Sequence, residues 1–84
     1  MVYDAIAEHY DLHLDGDTIK AEYYYNSVLT KECKGTLQTY YNNTLIEEKE
    51  ISFPHYEQLN YESTHYVLKD QLGKQIGKLT SPNR

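Results

Sequence analysis

Hydrophobic and polar positions along this chain alternate over short runs and then break at turn-forming residues, the two-residue period of strands rather than the 3.6-residue period of helices. The breaks fall at Asp15-Gly16, Asn26-Ser27, Lys34-Gly35, Asn42-Asn43, Pro54 and Leu72-Gly73, with segments rich in Tyr, Ile, Leu, Val and Thr between them. That spacing predicts an antiparallel meander. The runs Tyr23-Tyr24-Tyr25, Thr39-Tyr40-Tyr41 and Ile51-Ser52-Phe53 consist of residues that lose side-chain entropy in a helix, so strands suit them better. The expected fold is all-β: one domain over residues 1–84, a mainly antiparallel meander of roughly five to seven short strands that curls into a small open barrel or carries one short helix. The alternative is α+β with an N-terminal helix over residues 2–11, because Val2, Ile6 and Tyr10 also recur at every fourth position.

The stretch "DLHLDGDTIKAE", residues 11–22, supports two readings. As a calcium loop it places Asp11, Asp15, Gly16 and Glu22 at the first, fifth, sixth and twelfth positions, but His13 stands where an oxygen ligand belongs and Thr18 replaces the usual Ile. As a hairpin turning at Asp15-Gly16 it sets Leu12 opposite Ile19, Tyr10 opposite Ala21 and Ile6 opposite Tyr25 on a largely apolar face. The same register puts Asp11 opposite Lys20, His9 opposite Glu22 and His13 opposite Thr18 on a charge-matched face, with Glu8 against Tyr23 and Ala7 against Tyr24 as mismatches. The hairpin accounts for more of the residues.

A faint repeat follows: "YYNSVLTKE" (24–32) and "YYNNTLIEE" (40–48) share Tyr, Tyr, Asn, Leu and the closing Glu. Taken as real, it describes two aromatic strand ends, each followed by an Asn turn and a returning strand. Near the carboxyl end, Gly73 suits a left-handed turn position in a hairpin that would pair Leu68 with Ile76. "PHYEQLNYE" from Pro54 reads as a loop or one helical turn, since Pro cannot donate to a ladder.

Charge and composition narrow the function. Thirteen acidic residues against eight basic give a net charge of -5, with no run of Lys or Arg, which disfavours duplex nucleic acid. No segment is apolar over the ~18 residues of a membrane-spanning helix. The amino terminus lacks a basic region followed by an apolar one, so the expected location is cytoplasmic and the sequon Asn42-Asn43-Thr44 reads as turn composition. A single cysteine, Cys33, excludes an intramolecular disulfide and has no Cys/His spacing around it to mark a nucleophile. With no phosphate loop, zinc-type spacing or nucleophile elbow, a non-enzymatic protein without cofactor is expected.

Two groups of side chains stand out. In "HYDLH", His9, Asp11 and His13 alternate and therefore share a strand face, with Glu22 available across the ladder as a further metal ligand. The expected register, however, hands Asp11 to Lys20, which favours a solvated polar face over a metal site. The second group is aromatic. The chain has ten tyrosines, one phenylalanine and no tryptophan, and consecutive Tyr23, Tyr24, Tyr25, Tyr40 and Tyr41 must point to both faces of a sheet. Exposed tyrosine gives large contact area at low entropic cost. The reading is a protein-binding module, an inhibitor, adaptor or regulatory subunit, that meets a basic partner through those five tyrosines or an edge strand and self-associates as a dimer. The alternatives are single-stranded nucleic-acid or small-ligand binding by stacking, or an acidic mimic of nucleic acid that inhibits a nucleic-acid-binding enzyme. The acidic run Glu47-Glu48-Lys49-Glu50 fits a solvated edge strand.

Overall fold

A computed structural model describes residues 8–26, 28, 29 and 33–82, and strands are the regular structure found there. Strand β1 (Glu8–Asp15) turns into β2 (Thr18–Tyr25), which is followed by a two-residue β3 (Val28–Leu29). Then come β4 (Lys34–Tyr41), β5 (Thr44–Ser52), β6 (His55–Gln58), β7 (His65–Lys69) and β8 (Gln75–Thr80). They form two antiparallel sheets, not a closed barrel: β1, β3 and β6 pair with β2 in the first, and the second runs β5-β4-β7-β8. The all-β meander expected from the alternation is the fold. Residues 8–11 of the helical alternative are strand; residues 2–7, including Ile6 and Ala7, lie outside the described residues.

Local turn chemistry explains most of the hairpins. Gly16, Asn26, Asn42 and Gly73 all have positive φ, at 61°, 52°, 54° and 84°, a region that Gly enters freely and Asn more readily than other residues. The repeat is structural: Tyr25 pairs with Val28 around Asn26, and Tyr41 pairs with Thr44 around Asn42. Ser27 and residues 30–32 of the first copy lie outside the described residues.

The first hairpin departs from expectation by two residues. Its loop is Gly16-Asp17, so Asp15 pairs with Thr18, Leu14 with Ile19, Leu12 with Ala21, Tyr10 with Tyr23, Asp11 with Glu22 and His13 with Lys20. Positive φ at Gly16, the first loop residue, matches a type II′ turn, which wants Gly there. A two-residue slip preserves which face each residue occupies, so the apolar face survives while every cross-strand partner changes.

Three other expectations also fail. Lys34-Gly35 is not a turn: Gly35 lies inside β4, where a side chain would come 2.6 Å from the Lys69 carbonyl oxygen and 3.1 Å from the Phe53 ring. Leu68 pairs with Gly77 rather than Ile76, because a bulge between Leu68 and Lys69 leaves Ile76 as the extra residue. And "PHYEQLNYE" is neither loop nor helix throughout: past Pro54, residues His55–Gln58 leave the second sheet and add to β2 of the first, pairing Tyr56 with Lys20 and His55 with Ala21.

The apolar faces of the two sheets meet in one core. Ile19, Ala21 and Tyr23 of β2 join Leu37, Tyr66 and Leu68 of β4 and β7, with Ile51, Phe53 and Leu59 from the strand ends and connections. The Tyr10 ring lies 4.7 Å from that of Tyr23 and 5.7 Å edge-on from Phe53, the tilted geometry that aromatic quadrupoles favour. Cys33 lies against this cluster, its sulfur 3.8 Å from the Tyr10 hydroxyl.

Candidate functional site

Two surfaces hold the residues of interest. The first is the outer face of the β1–β2–β6 sheet. Alternation that sends Tyr10, Leu12 and Leu14 to the core sends His9, Asp11, His13 and Asp15 outward, and the register sets Tyr24, Glu22, Lys20 and Thr18 opposite them. Because β6 pairs with β2, Tyr56 joins the same face beside Lys20. Asp11, His13 and Glu22 are half-buried, and their nearest ligand atoms all lie within 4.8 Å of one another.

Hydrogen bonds tie this face together. Tyr24 donates to Glu22 Oε1 at 3.1 Å and Tyr56 donates to Glu22 Oε2 at 3.0 Å, so both oxygens of one carboxylate are held from different strands. The bond to Glu22, with burial second, raises the Tyr24 hydroxyl above the usual phenol range, and the same bond does so for Tyr56. Lys20 reaches Asp15 at 3.0 Å and lies 5.7 Å from the centre of the Tyr56 ring. That ion pair lowers the Asp15 carboxyl and raises the Lys20 ammonium. The sequence set Lys20 against Asp11; the true register commits Lys20 to Asp15 and sets Glu22 against Asp11 instead.

Of the metal candidates, Asp11 and His13 come together and His9 does not join them: its ring sits 6.0 Å from the Tyr24 ring. Glu22 replaces it. The signal that finds Glu22 in the sequence is Gly16 as the first residue of a two-residue loop, which moves the pairing on by one rung.

The second surface is the end of the β4–β5 hairpin. Tyr41, Leu45 and Ile46 are 48%, 43% and 42% exposed on the strands flanking the Asn42-Asn43 turn, Tyr41 and Leu45 on opposite faces and Ile46 the extra residue at a bulge between Thr39 and Tyr40. Beside them Tyr40 stacks on His65 with ring centres 4.8 Å apart and planes 6° from parallel. Next along the hairpin, the β5 edge carries Glu47, Glu48 and Glu50 exposed, while Lys49 turns toward Glu57 at 3.0 Å and fastens β5 to β6. The acidic run is the solvated edge strand that its charge pattern predicts.

The five expected contact tyrosines therefore scatter. Tyr23 is buried in the core, Tyr24 is occupied with Glu22, Tyr25 and Tyr41 are exposed, and Tyr40 is half-buried on His65. Tyr56 and Tyr61, exposed and absent from that set, lie in the segment whose strand character the proline disguised. His55 and His65 take Glu57 and Tyr40 as partners, so neither forms a dyad with Cys33.

Comparison with protein-family models, curated proteins and solved structures finds no significant match.

Proposed function

We propose that the protein is a non-catalytic protein-binding module, an inhibitor, adaptor or regulatory subunit, that docks through the β4–β5 hairpin end and the adjoining β5 edge. The observation that carries this reading is that three large apolar side chains, Tyr41, Leu45 and Ile46, are nearly half exposed around one hairpin turn. Three such side chains near one turn, on both faces of the hairpin, give a partner more apolar area to cover than scattered single residues do. Among the described residues β5 pairs on one side alone, with β4, so its far edge offers backbone groups to an added strand. Glu47, Glu48 and Glu50 on that edge favour a basic partner and weaken non-specific pairing.

A second copy is the partner most directly testable, since a small sheet protein with this exposed end gains stability by covering it. The stacking alternative is less well supported: on the outer face of the first sheet, Tyr24 and Tyr56 surround the Glu22 carboxylate, an anion where a phosphate backbone would have to lie. Light scattering over a concentration series is the test. A species of twice 9.9 kDa that reverts to the single mass in Leu45→Lys/Ile46→Lys supports the hairpin end as the contact. A dimer of unchanged strength in that double variant overturns the assignment, and quenching of tyrosine fluorescence by mixed single-stranded oligonucleotides would favour the alternative.

A further inference from the structure

The β1–β2 ladder places two carboxylates, Asp11 and Glu22, directly opposite one another and an imidazole, His13, on the next outward rung. Like charges on one rung repel, and the nearest lysine is turned to Asp15. His13 Nδ1 is shielded from solvent and makes no hydrogen bond, although Asp11 Oδ2 lies only 2.8 Å away. A ring nitrogen and a carboxylate oxygen at that ion-pair separation are also spaced as neighbouring ligands of one cation.

We propose that Asp11, His13 and Glu22 bind one divalent transition-metal ion of the zinc class, with water completing the shell. Zinc takes imidazole nitrogen at roughly 2.0–2.1 Å and carboxylate oxygen at roughly 2.0–2.2 Å, which puts adjacent donors about 3 Å apart. The His13–Asp11 separation already meets that spacing, and side-chain rotation closes the remaining distance from within 4.8 Å. Imidazole favours a transition ion, and calcium wants six to eight oxygens, more than this set holds. Three protein ligands on a half-buried sheet face leave an open position reached from solvent.

The surrounding residues fit that role independently of the ligands. Tyr24 from β2 and Tyr56 from β6 grip the two oxygens of Glu22, the kind of outer contact that orients a ligating carboxylate. A bound ion would thus link β1 to β2 directly and β6 through Tyr56, at a site separate from the β4–β5 hairpin end.

The test is calorimetric titration of the full chain with zinc chloride, alongside calcium chloride. The expected result is one zinc ion per chain and no calcium uptake, with binding lost in His13→Ala and in Glu22→Gln. Glu22→Gln keeps the size of the side chain and one of its two accepting oxygens, so it removes the charged ligand with little change of shape, and circular dichroism checks the fold of both variants. Tyr56→Phe should weaken binding about 10–100-fold, and His9→Ala, outside the ligand set, should bind as the unaltered chain does. Absence of zinc uptake, unchanged uptake in His13→Ala, or equal loss in His9→Ala overturns the proposal.

Discussion

Asp11 and Glu22 stand face to face across the β1–β2 ladder, two carboxylates on one rung. Directly opposed like charges destabilise a ladder, and replacing such a pair is worth about 0.2–1 kcal/mol. In metal-free buffer at neutral pH, Asp11→Asn should raise the free energy of unfolding by that amount in urea titration. A loss of stability would show that the Asp11 charge is already compensated.

Gly35 packs where no side chain fits, 2.6 Å from backbone and 3.1 Å from Phe53 at the point a Cβ would occupy. Backbone cannot move aside cheaply at the centre of a sheet, so Gly35→Ala should cost about 1–3 kcal/mol of overpacking. Were Gly35 a turn residue with ordinary φ, the same change would be neutral or mildly stabilising. Urea denaturation of the variant separates the two.

Phe53 is fully buried between the sheets, touching the rings of Tyr10 and Tyr23. Phe53→Ala should cost about 3–5 kcal/mol, against a total of roughly 4–13 kcal/mol for a chain this long. The thermal midpoint should fall steeply, and the variant should bind a hydrophobic dye if the core no longer closes. A drop under about 1 kcal/mol would mean that Phe53 does not hold the sheets together.

Alkaline pH should unfold the protein through its inner tyrosines. Burial raises the Tyr10 hydroxyl, helped by contact with Cys33, and burial followed by the Glu8 charge raises Tyr23. Each is neutral in the folded state and ionises near pH 10 in the unfolded chain. Their contribution is therefore complete below about pH 10 and is lost as the pH rises from there toward the folded-state values. The urea midpoint should decline above about pH 10, with phenolate absorbance rising in step. Tyr10→Phe should show a shallower decline; an identical decline would assign the effect to other groups.

Much of the fold was legible because it rests on local chemistry. Alternation separated Tyr10, Leu12 and Leu14 from His9, Asp11 and His13, and the Asn26 and Asn42 turns announced themselves through a residue type that tolerates positive φ. Lys34-Gly35 misled because a glycine needed for close packing against Phe53 has the same letter as one needed for a turn. Pro54 misled in the opposite sense, hiding a strand that begins at the next residue and crosses to the other sheet.

What the sequence alone determined is which side of each strand is apolar, because the two-residue period is local and survives any even slip of register. What only the tertiary structure decided is who faces whom. A shift of two residues leaves both faces with the same composition, so the pattern could not distinguish Asp11 beside Lys20 from Asp11 beside Glu22. The φ of Gly16 sets the register there, and the crossing of β6 brings Tyr56 onto Glu22. The first is local turn geometry, whereas the second depends on contacts between segments distant in the chain, as does the burial of Tyr23 beside the exposure of Tyr25.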